Sequence, residues 1–489
     1  MSLSFWNESD LGKQMPNDPH AVSVCLPKAA HVEGYEEGDP AILDKMVLGY
    51  PRFVFHPLYR RLCERFAHFA QADEFVMLWP GRRAAEQCVA FTGDGHVKET
   101  DAGVVASVIP RALEQKARAF WTHTGQIVSS RQAADILLNQ APDDVAASKA
   151  HSSILLQISY HNCIIGREGY TSLINDIFLY TSGMAAIYAA YETVCKALGR
   201  KKTVQLGFPY VDSWKIQEKF GDSVLLPYNE PDDLRALEKL LEQGDVAAVF
   251  CEAPGNPLLH TIDFPALRDI LDKYDVPLVV DDTIGTAANI YLRNRADIIV
   301  TSLTKFFSGM GNVMGGSLIL NNRSNHYPAL KDALRSVYEW QMYQSDLTVL
   351  AQNMEGFGAR MPMINHNGAA IAEFLNSHPA VKEVYHPTIT DRAAYDVIRR
   401  PEGGYGGLLS FTFRNAVAMP GFYDRLELPK GPSLGTEFTL VSPYAWMAHY
   451  REKTLLAQHG VDYNLIRISA GIEDTATLVY TLKRALEPR

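Results

Sequence analysis

The chain has 489 residues, 47% hydrophobic and 21% charged, a composition that supports two or three globular domains and excludes disorder as the default. A formal net charge of −10, with no Lys/Arg cluster, argues against a nucleic-acid or anionic-membrane partner. The six cysteines form no CxxC pair and no Cys/His ligand spacing, so no metal is expected; with an opening MSLSFWNESDLGKQMPNDPH that is no apolar leader, the reading is a reduced, cytoplasmic protein. No apolar run approaches the roughly 18 to 20 residues that cross a bilayer.

In chain order, the first 170 residues are mixed, with LYRRLCERFAHFAQ and RALEQKARAFWTHTG reading as helices. From about residue 175 the runs KTVQLGF, VAAVFCEA, VPLVVDDT, ADIIVTSL and GGSLILNN read as strands. Between the second and third lies FPALRDILDKYD, whose Phe264, Leu267, Ile270 and Leu271 fall on one helical face behind Asp263 as N-cap. Strand-helix-strand order with runs apolar on both faces predicts an α/β domain with a mostly parallel sheet. After about residue 330 come the long helical LTVLAQNMEGFGARMPMINHNGAAIAEFLNSH, then GYGGLLSFTF and YNLIRISAGI, predicting an α+β second domain.

Lys305 follows DIIVTSL, at the carboxyl end of a strand, where open α/β sheets bind ligands. A lone lysine is ordinarily a surface residue. A desolvated one can act as an amine nucleophile and form a Schiff base, and the hydroxyls of Ser302 and Thr304 suit a phosphate. Asp281 ends VPLVVD shortly before it; such an aspartate is often a turn cap, and opposite a lysine Schiff base it would pair with a pyridinium nitrogen. Ser182 and Gly183 open a helix in YTSGMAAIYAAYE, either as simple capping or as a phosphate site.

The ordered set YTSGMAAI, CEAPGNPLL, VVDDTIGT, SLTKFFSG, PSLGTEFTLVSP and IRISAGIED resembles the pyridoxal-phosphate enzymes of cysteine and methionine metabolism. NDPHAVSVCLPKAAHVEGYEEGDP and MVLGYPRF resemble the fungal type of cystathionine γ-synthase in particular. The resemblance implies an α/β protein of PLP-dependent transferase fold type I (aspartate-aminotransferase-like), with a mostly parallel large domain and an α+β C-terminal domain. It divides the chain into a 1–60 N-terminal arm, a family-atypical insertion at 61–170, a cofactor domain at 171–330 and a C-terminal domain at 331–489.

The resemblance implies Lys305 as the lysine that carries pyridoxal 5'-phosphate and shuttles protons, Asp281 as partner of the pyridinium with Thr283 beside it, and Tyr210 as the tyrosine stacked on the cofactor ring. Gly183, Met184, Ser302 and Thr304 would hold the phosphate together with Tyr50 and Arg52 of a neighbouring subunit, making each site of a homodimer or homotetramer a shared one. Arg467 would bind the α-carboxylate of a small amino-acid substrate, with Ser433 and Asn256 as neighbours. The implied activity is γ-replacement on an O-acyl-L-homoserine through a vinylglycine-type intermediate, captured by the cysteine thiol or by a carbon or amine nucleophile of a specialised pathway. A γ- or β-lyase, or a non-enzymatic derivative, are the alternatives. Departures from the family pattern fall at Tyr210-Val211-Asp212-Ser213, Asp282 and Met310, all near the expected pocket.

Overall fold

A computed structural model describes residues 5–163, 169, 171–200 and 202–487. Residue 170, the expected limit of the insertion, lies outside them, as do 164–168 within it. The N-terminal segment is tied to its own chain along its length. Asn312 Nδ2 donates to Asp18 at 2.9 Å and the Val22 amide to the Gly311 carbonyl at 2.9 Å. The Leu26 amide donates to the Lys430 carbonyl, and the Ala29 amide to Asp424 Oδ1 at 2.7 Å. Helix α1, Ala29–Glu37, follows and stops at Gly38, whose φ of +81° is the left-handed cap that glycine adopts without steric cost.

Much of the expected insertion is a small α/β layer of its own. Strands β1 (Glu74–Trp79), β2 (His96–Glu99) and β3 (Val105–Pro110) pair antiparallel in the order β1-β3-β2. Helices Arg82–Thr92 and α2 (Glu114–Thr124) cover one face over a core with Met77, Trp79, Phe120 and Trp121. Trp79 and Phe120 meet edge to face, centroids 5.5 Å apart.

The central sheet has seven strands: β4 (Ile177–Tyr180), β5 (Lys202–Leu206), β6 (Asp222–Leu226), β7 (Val246–Glu252), β8 (Leu278–Asp281), β9 (Ile298–Ser302) and β10 (Gly316–Leu320). Their order is β4-β10-β9-β8-β7-β5-β6. The β9–β8–β7–β5–β6 run is parallel, while β10 pairs antiparallel with β9 and β4. Successive residues face opposite sides, so Leu278 and Val280 enter one core while Val279 enters the other against helix α3, Gly183–Leu198. All five expected strands form, and Asp263 caps its helix by accepting from the Ala266 amide at 3.0 Å. Two more, β4 and β6, were not legible because they run almost directly into or out of helices; α4 (Val211–Phe220) enters β6 after one residue.

The last domain carries a four-stranded antiparallel sheet, β11 (Val381–Tyr385), β12 (Leu408–Phe413), β13 (Leu440–Pro443) and β14 (Ile466–Ser469), in the order β11-β12-β14-β13. Its inner residues Phe411, Ile466 and Ile468 are fully buried. Helix α5, Tyr444–Ala448, leaves β13 and packs against α1, joining the two ends of the chain.

Candidate active site

Parallel register sets Asp281, the end of β8, opposite Glu252, the end of β7, and beside Val300, two residues before the end of β9. Just beyond these ends is a cavity of about 700 Å³, within the range of small-molecule sites. Every site residue expected from the sequence lines it except Thr304.

Lys305 stands in the turn after β9, its Nζ donating to Ser433 Oγ at 2.9 Å and to Tyr50 Oη at 3.1 Å. Burial pushes its pKa below the ordinary lysine value, the Tyr50 phenol opposes that, and the Arg467 charge adds to it. Burial raises Tyr50, but the charges of Lys305 and Arg52 outweigh it and hold the phenol below its usual range. Gly435, with φ +78°, passes so close that a Cβ there would lie 2.5 Å from the Phe306 nitrogen, so the loop bearing Ser433 can clasp Lys305 only with glycine at that point. Ser433 itself holds φ +89°, a strained value for a side-chain-bearing residue that is retained where surroundings enforce it.

Asp281 accepts from the Thr283 amide at 2.9 Å, and Thr283 Oγ1 accepts from the Ser302 amide at 2.8 Å. Burial raises the Asp281 carboxyl. A cationic ring nitrogen would reverse that cost by supplying an opposite charge. Helix α3 begins between them: Ser182 caps it by accepting from the Ala185 amide at 3.1 Å. The first-turn amides of Gly183 and Met184 have no acceptor among the described residues, which suits an anion. A Cβ on Gly183 would sit 2.6 Å from Ser302 Cβ, so glycine lets α3 and β9 meet at that point.

Arg467, in the central strand β14, is 7% exposed. It donates to Ser433 O at 2.9 Å and Asn256 Oδ1 at 3.2 Å, and lies 4.9 Å from the Tyr444 ring centroid. No carboxylate neutralises it among the described residues, and the buried Tyr444 hydroxyl beside it lacks a partner. A substrate carboxylate would satisfy both shortfalls.

One expectation is corrected. Thr304 is buried, with its hydroxyl bonded to the Gly315 amide at 3.1 Å and carbonyl at 3.3 Å; it braces the turn and leaves Ser302 to face the cavity. Tyr50 and Arg52, expected from a neighbouring subunit, lie at the site within the single chain described, where Lys305 Nζ donates to Tyr50 Oη at 3.1 Å. The arm is fastened to its own domains up to Ala29, and the layer that follows Arg52 packs back beside α3, its Gly125 carbonyl accepting from Thr181 and Ser182 at 3.0 and 2.8 Å. Arg52, only 2% exposed, donates to the Thr122 carbonyl at 2.6 Å, Tyr210 Oη at 2.5 Å and Asp212 Oδ2 at 2.7 Å. An exchange experiment reads the difference: hybrids of Arg52→Ala and Lys305→Ala subunits should regain no activity, whereas recovery of up to half would place Arg52 in its partner's site.

The sequence reading missed three contributors and left the role of a fourth, Asp212, unread. Glu252 ends β7 and accepts from the Tyr210 amide at 2.6 Å and the Asn256 amide at 3.0 Å, fixing both loops. Burial, then the Asp281 charge, raises its carboxyl far above the ordinary value. His123, from α2, sits 3.2 Å from Asp212 Oδ1, so the insertion supplies part of the wall. Tyr444 and Asp212 are the others. Of the departures, Val211 and Asp212 line the cavity; Asp282 and Met310 do not, the Asp282 carboxylate instead accepting from the Thr301 hydroxyl at 2.5 Å.

A seven-stranded, mostly parallel sheet with a strand-end lysine, an aspartate on the next strand and a glycine-initiated helix defines a PLP-dependent enzyme of fold type I. Comparison places it further: residues 174–487 match the family of Cys/Met metabolism PLP-dependent enzymes, and the chain belongs to that family. It is 33% identical to cystathionine gamma-synthase of Neurospora crassa, over 98% of both chains, and 34% identical to the cystathionine gamma-synthase-like protein ankD of Aspergillus thermomutatus, over 97% of this chain and 93% of that one. A solved cystathionine gamma synthase from Xanthomonas oryzae pv. oryzae shares the fold, at TM-score 0.58 and 22% identity, over 71% of this chain and 98% of that one. The cofactor is pyridoxal phosphate, and the cavity residues fit it.

Proposed function

We propose that the chain catalyses γ-replacement on an O-acyl-L-homoserine, transferring the four-carbon amino-acid unit to a nucleophile. The observation that carries this is the convergence of Lys305, Asp281, Arg467 and Tyr210 on one cavity large enough for a second substrate. The cystathionine gamma-synthase relatives support the same reading. Bound pyridoxal phosphate supplies the electron sink that makes the substrate's α- and β-protons acidic.

The chain's own residues do the rest. Lys305 holds the cofactor through its amine, and when free takes and returns protons at the α- and β-carbons, poised by its lowered pKa and its bonds to Tyr50 and Ser433. Asp281 would pair with the pyridine nitrogen; the amides of Gly183 and Met184, Ser302 and Arg52 would hold the phosphate. Arg467, aimed by Asn256 and the Ser433 carbonyl, grips the α-carboxylate. Tyr210 stands where a proton can be passed toward the leaving group. In the net reaction the Cγ–O bond breaks, the carboxylate leaves with the bonding pair, the nucleophile bonds to Cγ and its proton is released. We infer a cytoplasmic homo-oligomer; six cysteines without a disulfide support the reducing compartment.

Incubation with O-acetyl-L-homoserine and a panel of thiol, amine and carbon nucleophiles, analysed by mass spectrometry, tests this. Adducts at Cγ are expected; keto acid and ammonia alone, whatever nucleophile is supplied, would make the protein a lyase. Arg467→Ala should lower kcat/KM for the donor by roughly 2 to 3 kcal/mol in transition-state terms, mostly through KM. An unchanged KM would place the carboxylate elsewhere.

A further inference from the structure

The cavity extends past the residues assigned above. Beyond them its lining is largely apolar, with Leu43, Phe53 and Met447 among Tyr35 of α1 and Tyr450 behind α5. The seam between these elements is fixed, because Tyr450 Oη donates to Glu37 Oε1 at 2.9 Å across it. Most charges on this wall are matched: Glu452 holds His449 at 2.7 Å and lies 3.7 Å from Lys215, which also pairs with Glu218 at 3.1 Å. Two are not. Glu36 of α1, half-buried, and Arg451, at the exposed rim, line the same chamber, and neither has a hydrogen bond or ion pair within reach among the described residues.

We propose that this chamber is the acceptor subsite, and that Glu36 and Arg451 set its specificity by reading the ammonium and the carboxylate of an amino-acid nucleophile. The proposal rests on the replacement reading above. A carboxyl and a guanidinium on one apolar-walled surface, neither with a hydrogen-bonded partner, match a zwitterion, whose ammonium and carboxylate would supply the missing contacts. Such an acceptor would turn its side chain inward, toward Lys305. Burial lifts the Glu36 carboxyl to about 7, partly offset by Arg451, which is the behaviour of a site that gains by receiving a cation. Tyr35 and Glu36 belong to the arm, so the segment that brings Tyr50 and Arg52 to the cofactor would also choose the acceptor.

The test uses the holoenzyme, O-acetyl-L-homoserine and three thiols: cysteine, 3-mercaptopropionate, which lacks the ammonium, and cysteamine, which lacks the carboxylate. Ratios of kcat/KM between thiols within one variant cancel any loss in folding or in the donor half of the site. Wild type should favour cysteine over each analogue by about 10- to 100-fold, the range for one charge-assisted contact. Glu36→Gln should bring the cysteine to 3-mercaptopropionate ratio toward one while keeping the preference over cysteamine. Arg451→Gln should do the reverse. Thioether formation with ratios unchanged in both variants would overturn the subsite and leave the replacement reading standing. Formation of keto acid with no thioether from any thiol would overturn both.

Discussion

Replacing Lys305 by alanine should abolish turnover, by at least about a thousandfold, and leave the fold intact. The amine is both the cofactor's covalent anchor and the proton carrier, and general acid-base catalysis alone contributes about 10²- to 10⁴-fold. Stability should change by no more than about 1 kcal/mol, because the charged form of this amine is already disfavoured by burial and only two hydroxyls, Tyr50 and Ser433, lose a partner. A turnover assay, circular dichroism and thermal unfolding check the three parts together. Near-normal turnover would remove Lys305 from the chemistry.

Asp212→Ala should be the most destabilising change in the site, by about 3 to 5 kcal/mol, since it strands the buried Arg52 guanidinium without its carboxylate. Burial pushes the Asp212 carboxyl up, but the Arg52 charge, then His123, outweigh it and hold it well below the ordinary carboxylate value. Its folded pKa being depressed, the contribution is fully present above the unfolded-chain value of about 3.9 and is lost as pH falls through the lower folded value. Urea unfolding at pH 7 and pH 3 reads this: the wild type should lose stability in acid that Asp212→Asn lacks to begin with. Added pyridoxal phosphate should narrow the gap for Asp212→Ala, because the phosphate offers Arg52 another anion. A loss under 1 kcal/mol at pH 7 would mean that Arg52 is satisfied by Thr122 and Tyr210 alone.

How much was legible depends on the range of the information. Lys305 and Asp281 could be read because strand-end placement and local motif coincide, and the two-faced apolar runs that carry them announced the parallel sheet. Glu252 lay inside a recognised motif and was passed over; its role appears only when β7 pairs with β8 and its carboxyl meets the Tyr210 and Asn256 amides. Asp212 stood out as a departure, but its meaning required His123 and Arg52, each far away in sequence. Thr304 shows the opposite failure. Hydroxyls two residues apart looked equivalent, yet the turn sends one to Gly315 and the other to the cavity. The arm's course along its own chain was beyond reach for a similar reason: it depends on packing against the 61–170 segment, for which no local pattern existed.

The central claim is that Lys305 carries the cofactor. Borohydride reduction of the purified yellow holoenzyme, followed by proteolysis and mass spectrometry, should find a single pyridoxyl-phosphate adduct on the peptide containing Lys305, with the visible band lost in step. An adduct on any other lysine, or a colourless protein that takes up no pyridoxal phosphate, would contradict the account.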